Sequence, residues 1–151
     1  MRIGLISDTH GLLRPEALNA LAGVDEIIHA GDIGGPELLE ALASIAPVRA
    51  VRGNNDRGAW ARKLPLRLNL QIGGARVHVV HDLKELDRDP AADPIDVLVS
   101  GHSHKPDVVY RDGTLLVNPG SAGPRRFKLP ITIGYLLVTG DAARAEIRDL
   151  S

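Results

Sequence analysis

Ile27-Ile28-His29-Ala30-Gly31-Asp32 is an apolar run that stops at a glycine and a single carboxylate. The run is too short for a helix and reads as a buried strand that hands one acid to the end of a sheet. Four other runs stop in the same way. Ile3-Gly4-Leu5-Ile6-Ser7 leads into Asp8-Thr9-His10, and Val48-Arg49-Ala50-Val51-Arg52 leads into Gly53-Asn54-Asn55-Asp56. Val77-His78-Val79-Val80 leads into His81, and Val97-Leu98-Val99-Ser100 into Gly101-His102-Ser103-His104. Five runs that each end in polar, ligand-type side chains predict that their ends meet, with Asp32 in the middle.

Working outward, Pro15 suits the first turn of a helix. Leu18, Leu21 and Ala22 follow at helical spacing, and Gly23 closes it. Pro36 opens a second helix with Leu38, Leu39 and Leu42 on one face, ending before Pro47. Strand, helix, strand, helix, strand is the beginning of an α/β sheet with crossover helices. After Gly53 the pattern changes. Leu64 to Ile72 alternates apolar and polar residues, Gly73-Gly74 suits a two-residue hairpin turn, and Arg76 to Val80 returns. The charged stretch Asp82 to Asp93 reads either as a short helix after Leu83 or as a loop. Ile95 to Ser100 is another buried strand. Val108 to Tyr110 and Thr114 to Val117 pair across an Asp112-Gly113 turn. Thr132 to Val138 and Ala143 to Arg148 form a closing hairpin around Gly140-Asp141. No repeat, low-complexity tract or linker interrupts the chain, so residues 1–151 are expected to form one domain, two packed sheets flanked by helices.

The bulk composition narrows the function. A chain of 151 residues with 44% hydrophobic and 25% charged residues has enough apolar side chain for one core. Aromatics make up 3%, so Leu, Ile, Val and Ala must build that core. A net charge of -1, with no basic run, argues against a nucleic-acid polymer as partner. The absence of cysteine removes disulfides, thiolate nucleophiles and Cys-type zinc sites together. No segment approaches the roughly 20 apolar residues of a membrane span, and the first run is too brief for a signal peptide. The expected compartment is cytoplasmic, with no membrane partner; the oligomeric state stays open.

Four of the six histidines (His10, His81, His102 and His104) fall at the strand ends. Asp8 and His10 are two apart, as are His102 and His104, and in an extended segment such residues project from one side. Imidazole and carboxylate together suit Mn, Fe, Ni or Zn better than Ca or Mg. Asp32 has two oxygens with which to bridge two cations, and Asn54 can lend a neutral carbonyl oxygen. Taken singly, Asp-x-His is an ordinary cap and Gly-Asp an ordinary turn. The set of five is what carries weight. His78 reads as a structural strand residue, whereas His29 either orients a ligand or simply packs. Ser121, in Pro119-Gly120-Ser121-Ala122-Gly123, lacks the first glycine of a Gly-x-Ser-x-Gly elbow and reads as a turn. No Gly-x-x-x-x-Gly-Lys-Ser/Thr loop is present, which excludes nucleotide chemistry of the P-loop kind.

Asp8-x-His10, Gly31-Asp32, Gly53-Asn54-x-Asp56, His81 and Gly101-His102-x-His104 together resemble the signature of the calcineurin-like metallophosphoesterases. The likeness is to their small single-domain phosphodiesterase branch, which also carries a stretch like Asn118-Pro119-Gly120-Ser121, and it runs from residue 3 to about residue 125. The resemblance implies a four-layer αββα sandwich, two mixed sheets flanked by helices, with a dinuclear metal centre at the strand ends. One metal would take Asp8, His10, Asp32 and His104, and the other Asp32, Asn54, His81 and His102. Two divalent transition-metal ions are implied, manganese first, with Ni, Fe or Zn compatible. Cations about 3.5–4 Å apart bring a bridging water to a pKa of roughly 7 and hold a phosphate during in-line displacement. The implied activity is that of a metal-dependent hydrolase, a phosphodiesterase acting on a small phosphate ester. The alternatives are a phosphomonoesterase or a non-catalytic protein-interaction scaffold; the resemblance includes a retromer subunit of the latter kind.

Two positions depart from the family pattern. Many relatives have histidine after the ligand asparagine, where it protonates the leaving group and the following acid orients it. Here Asn55 holds that place, and an amide cannot act as a general acid. Asn55 and Asp56 are therefore the residues to examine for a role beside the metals, with Asp56 read as a structural remnant. Asp82 follows His81 where relatives often have glycine, and it either supports the centre or points away. Arg125 and Arg126 either bind the phosphate charge that the metals leave, together with Asn54, or lie on the surface.

Overall fold

β1 (Arg2–Ile6), β2 (Glu26–His29) and β3 (Val48–Ala50) lie parallel in register, with Ile3 opposite Glu26 and Ile27 opposite Val48. Parallel strands need crossovers, and the two Pro-opened segments supply them as α1 (Pro15–Leu21) and α2 (Pro36–Ala43). The computed structural model describes residues 1–86 and 94–151. The sequence pattern did not announce α3 (Ala59–Arg62), whose single turn is too short to show a period. β9 (Thr132–Thr139) and β10 (Ala142–Asp149) complete a mixed five-stranded sheet of order β10-β9-β1-β2-β3. The second sheet has the order β4-β5-β6-β8-β7, built from β4 (Arg67–Ile72), β5 (Ala75–Val80), β6 (Val97–Val99), β7 (Asp107–Arg111) and β8 (Thr114–Asn118).

Alternation along each strand builds two cores. Ile3, Leu5 and Ile28 face Val77, Val97 and Val99 between the sheets, whereas Ile6, Ile27 and Ile133 face Leu21 and Leu42 of the helices. All of these side chains are almost fully buried. Gly4 lets α1 close on the first sheet, since a Cβ there would stand 2.4 Å from Leu21 Cδ2. Tyr135 reaches the same layer and donates its hydroxyl to the Ala20 carbonyl at 2.6 Å. The helical layer thus covers the first sheet. On the outer face of the second, the described residues carry a 3-10 turn, Leu83–Glu85, beside Val109 and Leu116. The rest of the segment that the sequence reads as helix or loop lies outside the described residues. Among the described residues, no helix is long and apolar enough to cross a membrane.

The loops that follow β1, β2 and β3 are tied to one another. Asp8, His10 and Gly11 donate their N–H groups to the carbonyls of Gly31, Asp32 and Ile33 at 3.0, 2.9 and 2.8 Å. Asp56, 6% exposed, then locks the third loop on: its Oδ1 accepts from Ile33 and Gly34, and its Oδ2 from Gly53. Here Asp56 is a structural tie, with its oxygens turned to backbone N–H groups. Asp56→Ala would leave three amides without their acceptor, each worth about 1–3 kcal/mol when buried. The expected outcome is a loss of ~3 kcal/mol in urea unfolding with an unchanged m-value; a loss below ~1 kcal/mol would refute this role.

Candidate metal centre

The carboxyl ends of β1, β2, β3, β5 and β6 all point to one end of the sandwich, and their loops carry the residues singled out above. The structure brings these into two groups. Asp8, His10 and His104 form one and Asp32, His81 and His102 the other, with the ligand atoms of each group within 4.8 Å of one another. Asp32 Oδ2 stands between the groups, 3.3 Å from His81 Nε2 and 3.8 Å from His10 Nε2. Asn54 Oδ1 completes the second group, 2.9 Å from His81 Nε2 and 3.2 Å from His102 Nδ1.

The backbone at this site is unusual. Asp8, His10, Asp32, His102 and His104 all have positive φ, between 47° and 71°. The left-handed region costs an L-residue about 1–2 kcal/mol, so five such residues persist only because the surrounding structure holds them. The loop-to-loop hydrogen bonds do part of this, and two glycines do more by allowing close approach. A Cβ at Gly53 would lie 2.1 Å from Asp32 N, and one at Gly101 would lie 2.0 Å from Ser7 Oγ and 2.8 Å from Asp8 Oδ2.

Asp8 is held through one oxygen and open through the other, whereas Asp32 is held at both. Fully buried Asp8 accepts from the Ser7 hydroxyl (2.7 Å) and the His102 N–H (3.1 Å) on Oδ2. Its Oδ1, like His10 Nε2, is buried without a hydrogen-bond partner among the described residues, and it faces His104 Nε2 at 3.5 Å. Asp32 accepts the Asn55 N–H on Oδ1 (2.9 Å) and the Asn55 Nδ2 on Oδ2 (3.2 Å). Acids and imidazoles turned toward one another in two groups are a donor set that fits divalent metals.

Protonation follows the same geometry. Burial raises Asp8 above the usual carboxylate range, opposed by the Ser7 hydroxyl and by His81 and His104. Burial would raise Asp32 too, but hydrogen bonds from His81 and Asn55 and the charges of His81 and His10 hold it at about 2. Burial opposes charge on His81, yet its contacts with Asp32, the Ala30 carbonyl and Asp8 lift it to about 9. His81 Nδ1–H donates to that carbonyl at 2.7 Å, which leaves Nε2 as its inward atom. Burial lowers His104, aided by Arg126 and His10 against Asp8.

Residues beside the candidate ligands adopt definite partners. His29, pushed down to about 3 by burial and the His81 charge, is a neutral strut. It accepts the Gly31 N–H on Nδ1 and meets Thr9 Oγ1 through Nε2, and Thr9 in turn donates to the Ile33 carbonyl. Ser121 donates to the Asp8 carbonyl, and Asn118 Nδ2 donates to the Gly101 carbonyl and Ser103 Oγ, so Asn-Pro-Gly-Ser buttresses the ligand loops. His78 pairs with Asn69 across β4 and β5, away from the centre. Asp82 turns toward the site, its Oδ2 3.6 Å from His102 Nε2. Arg125 is placed elsewhere, because its guanidinium donates to Ser151 Oγ at 3.3 Å and its charge acts on Asp149. Arg126 is the arginine whose charge acts on His104, a candidate ligand. Two adjacent arginines on an irregular segment gave the sequence no period by which to choose between them.

The whole-chain comparisons agree with this architecture. Residues 1–141 match the model of the calcineurin-like phosphoesterase superfamily domain. A probable metallophosphoesterase of Methanothermobacter thermautotrophicus is 36% identical over 97% of this chain and 91% of its own. A phosphodiesterase of Methanocaldococcus jannaschii is 26% identical over 99% of this chain and 98% of its own. Among solved structures, vacuolar protein sorting 29 of Cryptosporidium parvum superposes with a TM-score of 0.82 at 23% identity, covering 99% of this chain and 91% of that one. With its domain matched almost end to end, the chain belongs to the calcineurin-like phosphoesterase superfamily.

Proposed function

We propose that the protein is a metal-dependent phosphodiesterase that hydrolyses a small phosphate ester at a dinuclear centre. The observation that carries this reading is the pair of facing ligand groups with Asp32 Oδ2 between them and Asp8 Oδ1 buried without a partner among the described residues. Asp8, His10, Asp32 and His104 would hold one cation, and Asp32, Asn54, His81 and His102 the other. Manganese is the first candidate, and nickel, iron and zinc suit the same donors. Two such cations supply the water acidity and positive charge that in-line attack at phosphorus needs. The protein's own residues fix geometry. Ser7 and the His102 N–H orient Asp8, the Ala30 carbonyl orients His81, and Asn55 orients Asp32. Arg126 is the nearby cation for phosphate charge. The phosphodiesterase assignment is supported by the M. jannaschii relative, a phosphodiesterase matched along its whole length.

Metal-stripped protein is expected to regain bis-nitrophenyl phosphate hydrolysis when Mn, Ni or Zn is restored. Asp32→Asn should lower that activity by about 100-fold or more, the scale of removing one preorganised electrostatic group. Bound metal without activity on any mono- or diester would replace this proposal with the scaffold reading. A faster reaction on the monoester than on the diester of one alcohol would replace phosphodiesterase with phosphomonoesterase.

Asn55 directs its amide hydrogen to Asp32 and has no acid proton to give a leaving group. Turnover should therefore depend steeply on leaving-group pKa, nitrophenyl esters far outpacing alkyl esters. Asn55→His should flatten that dependence, and equal wild-type rates on both ester types, with chemistry limiting, would contradict the assignment.

In the metal-free protein His81 carries a proton up to about pH 9. Its contribution to stability is thus complete below its ordinary value of 6.5 and is lost as pH rises through about 9. A metal must displace that proton, so uptake at pH 7.5 should release at least about one proton per protein, with a further contribution from any metal-bound water. Calorimetry in buffers of different ionisation enthalpy reads this number directly; heats independent of buffer would refute it.

A further inference from the structure

The two imidazoles of the second ligand group are held very differently. His81 is buried and fixed by the Ala30 carbonyl on its outward nitrogen. His102 is 45% exposed, and its ring meets that of His81 edge-on, 5.2 Å between centroids. Its Nδ1 faces Asn54 Oδ1 at 3.2 Å, on the side of His81 and Asp32. Its Nε2 faces outward, and 3.6 Å away stands Asp82 Oδ2. That carboxylate is itself fixed, since its Oδ1 accepts the Lys84 N–H at 3.1 Å and caps the turn Leu83–Glu85.

We propose that Asp82 is a positioning residue for His102: it accepts Nε2–H and thereby presents Nδ1 to the second metal. The separation of 3.6 Å is longer than a hydrogen bond, and a small rotation of the half-exposed ring closes it. A ligand histidine that offers one nitrogen to a metal needs an acceptor on the other to fix its tautomer and its plane. His81 obtains this from backbone, and His102, with solvent on that side, obtains it from a side chain. The proposal rests on the two-metal reading above, and it assigns a function to a carboxylate at a strand end that ligates nothing itself.

Zinc titration of metal-free wild type, Asp82→Ala and Asp82→Asn, followed by calorimetry and by 15N shifts of His102, tests this. In Asp82→Asn the side-chain carbonyl oxygen still accepts from Lys84 N–H and keeps the turn capped, but the amide nitrogen then turns a donor toward Nε2–H. The expected result is that both variants bind the first zinc as wild type does and the second about 10- to 100-fold more weakly. The zinc-loaded wild type should show the His102 Nε2–H tautomer, and at the same zinc concentration both variants should show it together with the signal of unliganded His102. Wild-type binding of the second zinc by Asp82→Asn, with Asp82→Ala impaired, would assign the effect to the turn cap and overturn the proposal. So would unchanged binding and shifts in both variants. Uptake of fewer than two zinc ions by the wild type would instead refute the two-metal reading beneath it.

Discussion

A buried carboxylate with one oxygen left open is the constraint on which this structure turns. Asp8 is fully buried, and among the described residues only its Oδ2 is hydrogen-bonded. Burying an acid with only one oxygen satisfied is costly unless a proton or a cation meets the other. The fold accepts that cost at the point where five strand ends meet. The neighbouring glycines follow from it: a side chain at Gly101 would collide with both Ser7 and Asp8. So do the positive φ values of the ligands, because turning Asp8, His10, Asp32, His102 and His104 inward together takes the chain out of its preferred regions. Strain of this kind needs redundancy around it. The ladder between the first two loops and the three amides gathered by Asp56 provide that redundancy.

What the sequence made legible was whatever a local pattern encodes. Apolar runs that stop at Gly-Asp, Gly-Asn or Gly-His specify where strands end, and parallel strands must end on the same side. The seven candidate ligands therefore could be named before their distances were known. What stayed hidden depends on side-chain direction, which no period reveals. Asp56, read from the sequence as a structural remnant, has an unforeseen task in gathering three backbone amides, while Asn55, next to it, turns both its N–H and its amide to Asp32. Arg125 and Arg126 are adjacent and chemically identical, yet one faces Ser151 and the other acts on His104. The sign of the choice at Asp82 was equally invisible, because an extended residue can face either side until its neighbours are placed.

The fold does not decide the chemistry. A TM-score of 0.82 at 23% identity speaks for the arrangement of two sheets and for nothing that happens at their ends. Support for a metal centre comes instead from the donors: two acids, four imidazoles and an amide, with Asp8 Oδ1 and His10 Nε2 buried without a hydrogen-bond partner among the described residues. A surface built only to bind a protein has no physical need for that arrangement.

The polar residues around the ligands share one property. Ser7 holds Asp8, the Ala30 carbonyl holds His81, Asn55 holds Asp32, and Asp82 stands against His102. Each fixes a ligand, and Ser7 and Asn55 have no ionisable proton to lend near neutral pH. A general acid contributes about 10²–10⁴-fold to a rate. On the proposed reading, an amide in place of a proton donor forgoes that factor on poor leaving groups, while Asn55 grips Asp32 at both oxygens. Such a centre depends on electrostatic preorganisation, whose benefit scales with how little its ligands move. The left-handed backbone, the glycine contacts and the loop ladder restrict the same motion. If the proposed two-metal chemistry holds, fold and chemistry act on one variable, the rigidity of the strand ends, and substrates whose leaving groups need no proton suit it best.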